Sequence, residues 1–235
     1  MMPNANAIVA PQYFCNRTNC GASSPTIAVL RSHIFNVHGN DNDHWDNRKP
    51  NSPGQVLGVY STPPLGAIPA GGRTVLFTVR VCRRRVRARP LTISFPCSEG
   101  TRMAYSYGIE QARQMLGVHQ LPNLRIRRWP PVLSTDGPSG GAAIFCAVYS
   151  LFTGRLCRAD SAVTAAVDAF APMVIGVGDL DLKAEGAVAA GLARLVMAQE
   201  NAADWAALPA VLTEQLEGVF VNNLDQMVEA MFLPV

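Results

Sequence analysis

Apolar and β-branched residues alternate along QVLGVYS (55–61) and then RTVLFTVRVCRRRVRARPLTISF (73–95), a period near two that predicts strands. SEGTRMAYSYGIEQARQMLG (98–117) changes period. It has a capping Ser98, apolar positions at Met103, Tyr107 and Met115, and a closing Gly117, which together predict a helix. LRIRRWPPVL (124–133) reads as a strand whose prolines favour an edge or a strand end. The turn STDGPSGG follows, and AAIFCAVYSLF then predicts an almost wholly apolar helix stopped at Gly154. SAVTAAV predicts a strand, GVGDLDL a turn and KAEGAVAAGLARLVMA (183–198) a third long helix. WAALPAVLTEQL and LDQMVEAMF close the chain as short helices around a strand at GVFV. The order is mixed α/β, without internal repeats.

The first 54 residues differ in kind, being rich in Asn, Asp, His and Pro and ending in GNDNDHWDNRKPNSPG. This predicts a small module over 1–40, a polar linker over 41–54 and one main domain over 55–235. A composition of 49% hydrophobic and 16% charged residues with a net charge of +3 fits a folded, soluble protein. No run of about 18 apolar residues and no secretory leader is present, so the expected location is cytoplasmic or nuclear, with no membrane partner. Cys82, Cys97, Cys146 and Cys157 sit in apolar surroundings and are expected to be buried thiols.

Ser139 lies between a predicted strand and a helix that opens with glycines. Free N–H groups at such a helix start can hold a developing oxyanion, and Gly140 and Gly141 let a substrate backbone approach. The same string also reads as a plain turn with a capping residue. A nucleophilic serine needs a base, yet His33, His38 and His44 fall in the N-terminal module, leaving His119 alone in the main domain. Lysine can serve when an apolar site lowers its pKa from roughly 10.4 toward neutrality. Of the 20 basic residues only Lys49 and Lys183 are lysines, and Lys183 opens a helix of small residues. Beside Asp181 and Glu185 it also reads as an ordinary solvated lysine.

Three ordered segments bear on this choice: DGPSGG at 136–141, TGRLCRADSAVT at 153–164 and VGDLDLKAEGAVAAG at 177–191. Each resembles a box of the proteolytic domain of Lon proteases, and the similarity extends over roughly residues 55–235. The resemblance implies an α/β (α+β) fold with a mixed sheet and packed helices. It further implies a serine endopeptidase in which Ser139 attacks, Lys183 is the general base, Thr164 orients the lysine amine and Asp136 shapes the turn. The backbone N–H of Ser139 and a neighbour would form the oxyanion hole. An extended polypeptide would pair along Trp129 to Leu133, with Trp129, Val132, Leu133 and Gly140 as its contacts. Asp179 departs from the family pattern where a second glycine is expected, as do Ala165 and Ala166 after the threonine. These leave altered specificity or a decayed site open.

No Gly-x-x-x-x-Gly-Lys-Ser/Thr loop occurs, which predicts action without ATP. Stand-alone relatives with a Ser-Lys dyad process viral polyproteins, so the substrate expected is a polypeptide such as the chain's own viral or mobile-element precursor. In the N-terminal module, Cys15-x4-Cys20-x12-His33-x4-His38 matches a ββα zinc finger holding one structural zinc ion. The finger brings in nucleic acid or protein as a second partner, and VCRRRVRARP would add phosphate contacts, although that run also reads as an exposed arginine face. The rival function is therefore an inactive Lon-like fold that binds nucleic acid or acts as a scaffold. Oligomeric state stays open.

Overall fold

The computed structural model describes residues 49–62, 70–82, 91–129 and 137–234, and the backbone of 13–14 and 23–24. Near the N-terminus β1 (Tyr13–Phe14) pairs antiparallel with β2 (Ser23–Ser24), bracketing Cys15 and Cys20 in the chain. The four expected zinc ligands, Cys15, Cys20, His33 and His38, lie outside the described residues, as does most of the arginine run.

The main domain is built on a seven-stranded sheet of β3 (Gln55–Thr62), β4 (Gly71–Val81), β5 (Leu91–Ile93), β6 (Leu124–Trp129), β7 (Ser161–Thr164), β10 (Arg194–Ala198) and β11 (Glu217–Val221). Its spatial order is β11-β10-β7-β3-β4-β6-β5. Neighbours are parallel from β11 to β3, antiparallel from β3 through β4 to β6, and parallel again between β6 and β5. A separate two-stranded pair joins β8 (Ala166–Val167) to β9 (Val174–Ile175). Successive residues of a strand point to opposite faces. Val56 and Tyr60 accordingly enter one core, and Leu57 and Val59 enter the other.

The first core is covered by α1 (Glu99–Met115), α2 (Gly141–Thr153) and α6 (Leu224–Met231). The second is covered by α3 (Leu180–Ala189), α4 (Ala202–Ala206) and α5 (Ala210–Thr213). Ser98 caps α1, its hydroxyl accepting from Thr101 N at 3.1 Å, and left-handed Gly154 ends α2. In α1 Met103 faces outward, 47% exposed, whereas Met115 packs against the core. Ala104, Tyr105, Gly108 and Ala112 are buried. Small side chains let the helix lie close to α2, and close packing outweighs the burial of one methionine. Of the four cysteines expected inside, Cys146 and Cys157 are buried while Cys82 and Cys97 are half-buried near strand and loop ends.

The expected helix over 183–198 divides. Gly191, at φ +65°, takes the left-handed position that ends a helix, with Gly191 N donating to Val188 O and Leu192 N to Ala187 O. The remaining apolar run becomes β10, whose Leu195, Val196 and Met197 are fully buried between β7 and β11. Likewise WAALPAVLTEQL is interrupted at Pro209, the residue that precedes α5. No helix among the described residues is long and apolar enough to cross a membrane.

α3 is seated on β4 by a contact of two glycines. A methyl at Gly186 would lie 2.5 Å from the Gly72 carbonyl carbon, and one at Gly72 would overlap the Leu182 carbonyl. Thr74 Oγ1 adds a hydrogen bond of 3.1 Å to Gly186 O. Gly186→Ala should therefore lower stability by about 2–4 kcal/mol, because backbone rather than a flexible side chain blocks the methyl. Chemical denaturation would check this, and a loss below about 0.5 kcal/mol would contradict the contact.

Candidate active site

Ser139 occupies the turn between Pro138 and α2 and is half-buried. Its carbonyl accepts from Ala165 N at 3.1 Å, and the Ala165 carbonyl in turn accepts from Ala142 N at 3.2 Å. This reciprocal pair ties the serine turn to the residue that follows Thr164 at the end of β7. From the other side, Thr101 Oγ1 donates to Gly137 O at 3.1 Å, and the Tyr105 ring lies where a Gly140 side chain would be, 2.8 Å from it. Neither the Ser139 nor the Gly140 N–H donates to another group among the described residues. Two donors thus remain at the positive end of a 13-residue apolar helix.

Lys183 lies in the first turn of α3, its N–H donating to Asp179 O at 3.1 Å. Only 3% of it is exposed, among buried Leu180, Ala184 and Ala187. Its Nζ donates to the Gly178 carbonyl. Burial pushes the amine down to about 8, against the opposing pull of the Asp179 and Asp181 carboxylates. The loop before the lysine is clamped by a second group of residues. Asn201 Nδ2 donates to Val177 O at 2.7 Å while Val177 N donates to Asn201 Oδ1 at 3.0 Å. Gly176 N donates to Glu200 Oε2 at 2.6 Å, and Asp204 Oδ2 accepts from Asn201.

Sheet register relates the two halves. β3 and β7 are parallel with Gly58 opposite Val163, so Ser61 and Thr164 both lie toward the carboxyl end of the sheet. Ser61 meets Asp179 at the head of α3, and Ala165 meets the serine turn. The serine therefore arrives from the α2 face and the lysine from the α3 face at one end of the sheet. Thr164 is fully buried there, and its Oγ1 has no partner among the described residues. Ser139 and Lys183 share no hydrogen bond among those residues either.

Of the other expected site residues, Trp129 ends β6, opposite Leu76 of β4 and packed on the α3 side of the sheet. Asp136, Val132 and Leu133 lie outside the described residues. His119, the alternative base, is exposed beyond the end of α1. The sequence reading gave no role to Ser61, Thr101 or the Glu200–Asn201 clamp. The clamp falls within the stretch of family similarity, but its partners are backbone atoms that a residue pattern cannot display.

Residues 99–234, more than half of the chain, match the family described as the Lon protease (S16) C-terminal proteolytic domain, and the chain belongs to that family. Among individual relatives, it is 37% identical over 97 residues to a Lon protease of Methylocella silvestris, which covers 41% of this chain and 12% of that protein. Similarity to the peroxisomal Lon protease homolog 2 of Bos taurus is 36% over 100 residues, 43% of this chain and 12% of the relative. A Lon protease of Halothermothrix orenii is 30% identical over 135 residues, 56% of this chain and 17% of that protein. The chain thus spans less than a fifth of the length of these curated relatives.

A buried amine held below its ordinary pKa has a consequence for folding. The folded state releases the Lys183 proton near 8 and the unfolded chain near 10.5. The penalty is therefore complete below about 8 and fades as pH rises to 10.5. Lys183→Met should stabilise the protein by about 1–3 kcal/mol at neutral pH, the gain shrinking toward pH 10.5. Urea unfolding at pH 7 and pH 10 would check it, and a gain that grows with pH would exclude a depressed lysine.

Proposed function

We propose that the chain is a serine endopeptidase in which Ser139 is the nucleophile and Lys183 the general base. The observation that carries this reading is the buried Lys183 amine, depressed to about 8, at the same end of the sheet as the serine turn. A neutral amine takes the Ser139 proton as Oγ attacks the scissile carbonyl. The new oxyanion accepts from the Ser139 and Gly140 N–H groups. The ammonium then returns its proton to the leaving amine, and water enters by the reverse relay to release the acyl group. Thr164 Oγ1, buried without a partner among the described residues, accepts from the amine once it leaves the Gly178 carbonyl. Asp136 shapes the serine turn.

The substrate is a polypeptide in extended form, with the chain's own precursor as the first to test. A substrate strand would add along the chain that follows Ile126, where the pairing of β5 with β6 ends, and reach Trp129, Val132, Leu133 and Gly140. Peptide-bond cleavage at this site requires no nucleotide. Cys15, Cys20, His33 and His38 are proposed to hold a structural zinc ion, with nucleic acid or protein as the finger's partner.

Activity should rise with pH through about 8, because only the neutral amine accepts a proton and a histidine base would instead titrate near ~6.5. Ser139→Ala and Lys183→Arg should each lower turnover by roughly 10³-fold or more with the fold intact, since guanidinium stays protonated. His119→Ala should cleave like the parent. These variants would be compared by peptide and precursor cleavage without ATP, alongside circular dichroism. Persistent turnover in Lys183→Arg would remove the lysine from the mechanism.

A further inference from the structure

Asp179 is the one non-glycine residue with positive φ among the described residues, at φ 54° and ψ 43°. Aspartate tolerates this region better than most residues but gains no stability from it. Its carboxylate does not cap α3. Oδ2 instead accepts from Ser61 Oγ at 2.6 Å, a link between β3 and α3 across 118 positions of sequence. The peptide bond that enters Asp179 carries the Gly178 carbonyl, and that carbonyl receives the Lys183 amine. The Asp179 carbonyl accepts from the Lys183 N–H. Both hydrogen bonds of Lys183 on the N-terminal side of α3 therefore depend on how Asp179 is oriented.

We propose that Ser61 and Asp179 form a positioning clamp that fixes the Gly178 carbonyl against the Lys183 amine and so sets where the amine rests and how readily it is neutral. The inference rests on Lys183 being the base, and it makes Asp179 a positioning residue rather than a catalytic one. Without a side chain at 179 the same backbone turn would form, but nothing would tie it to β3 and one negative charge beside the amine would be gone. The charges acting on Lys183 are those of Asp179 and Asp181. Charged side chains on the elements around α3 are engaged elsewhere. Arg73 of β4 donates to Gly72 O, Asp204 of α4 accepts from Asn201, Arg194 of β10 pairs with Glu217, and Glu200 accepts from Gly176 N.

The scarcity of lysine gives a direct assay. Protein carrying ¹³Cε-lysine has two signals, from Lys49 and Lys183, and Lys49→Arg assigns them. Asp179→Asn keeps an acceptor for Ser61 and tolerates the left-handed turn but removes the charge. The Lys183 midpoint and the acid limb of the kcat profile should both fall by roughly half a pH unit while the plateau holds, as expected for one partly solvated carboxylate. Ser61→Ala keeps the charge and frees the clamp. Its plateau kcat should fall several-fold at unchanged KM, and Ser61→Thr should restore it. Asp179→Gly should show both effects. An unmoved midpoint in Asp179→Asn and Asp179→Gly, or a parental plateau in Ser61→Ala, would overturn the clamp. The lysine signal reports on the clamp even in an inactive protein, whereas turnover by Lys183→Arg would instead defeat the general-base reading itself.

Discussion

Burying one ammonium nitrogen is the constraint on which the rest of this domain turns. A lysine with 3% exposure has lost most of its hydration, and among the described residues it receives a backbone carbonyl and the pull of two carboxylates in return. Keeping it there requires a helix that lies almost on the sheet, and the residues that permit such an approach are the smallest ones. Gly72 and Gly186 meet backbone to backbone, while Ala184 and Ala187 fill the layer beside them. Larger side chains at these positions would lift α3 and admit water to the amine. Arginine, which supplies nearly every other cation in the chain, could not take this place, since its guanidinium does not become neutral.

The sheet then solves a second problem, which is bringing groups from opposite layers together. Ser139 belongs to the α2 side and Lys183 to the α3 side, with the strands between them. Only at the end of the strands is there no backbone in the way, and parallel neighbours finish at the same edge. β7 ends there in a buried threonine, and the next residue is bonded to the serine turn in both directions. The loop before Lys183 is held just as firmly by Asn201 from beyond β10. The serine turn and the loop before Lys183 are thus fixed to one framework by hydrogen bonds to backbone, which change little with the identity of surface residues.

The alternating strands, the capped helix from Ser98 and the apolar helix stopped at Gly154 were legible in the sequence because each is specified by its own residues. The failures share a cause. KAEGAVAAGLARLVMA has the composition of one helix throughout, and what makes 194–198 a strand is the vacancy between β7 and β11, a fact of the tertiary fold. Met103 looked like an inner position because it is large and apolar, whereas the face that packs is chosen by fit against α2. The site divides in the same way. Its serine, lysine and threonine could be read as residue types in order, but Ser61 and Thr101 reach distant parts of the chain by hydrogen bonds that no local pattern announces.

The matching family segment begins at residue 99, yet the setting of Lys183 depends on residues before it. Gly72 and Thr74 of β4 seat α3, and Ser61 of β3 holds Asp179 at its head. The hairpin formed by β3 and β4 lies at the middle of the sheet, so it cannot be an ornament added at an edge. It supplies part of the low-dielectric wall that buries the Lys183 amine, and any change in its register would slide Ser61 and Gly72 relative to α3 together. The segment 99–234 thus contains every group proposed to touch the reacting atoms, while the two preceding strands set the electrostatic environment in which one of those groups works.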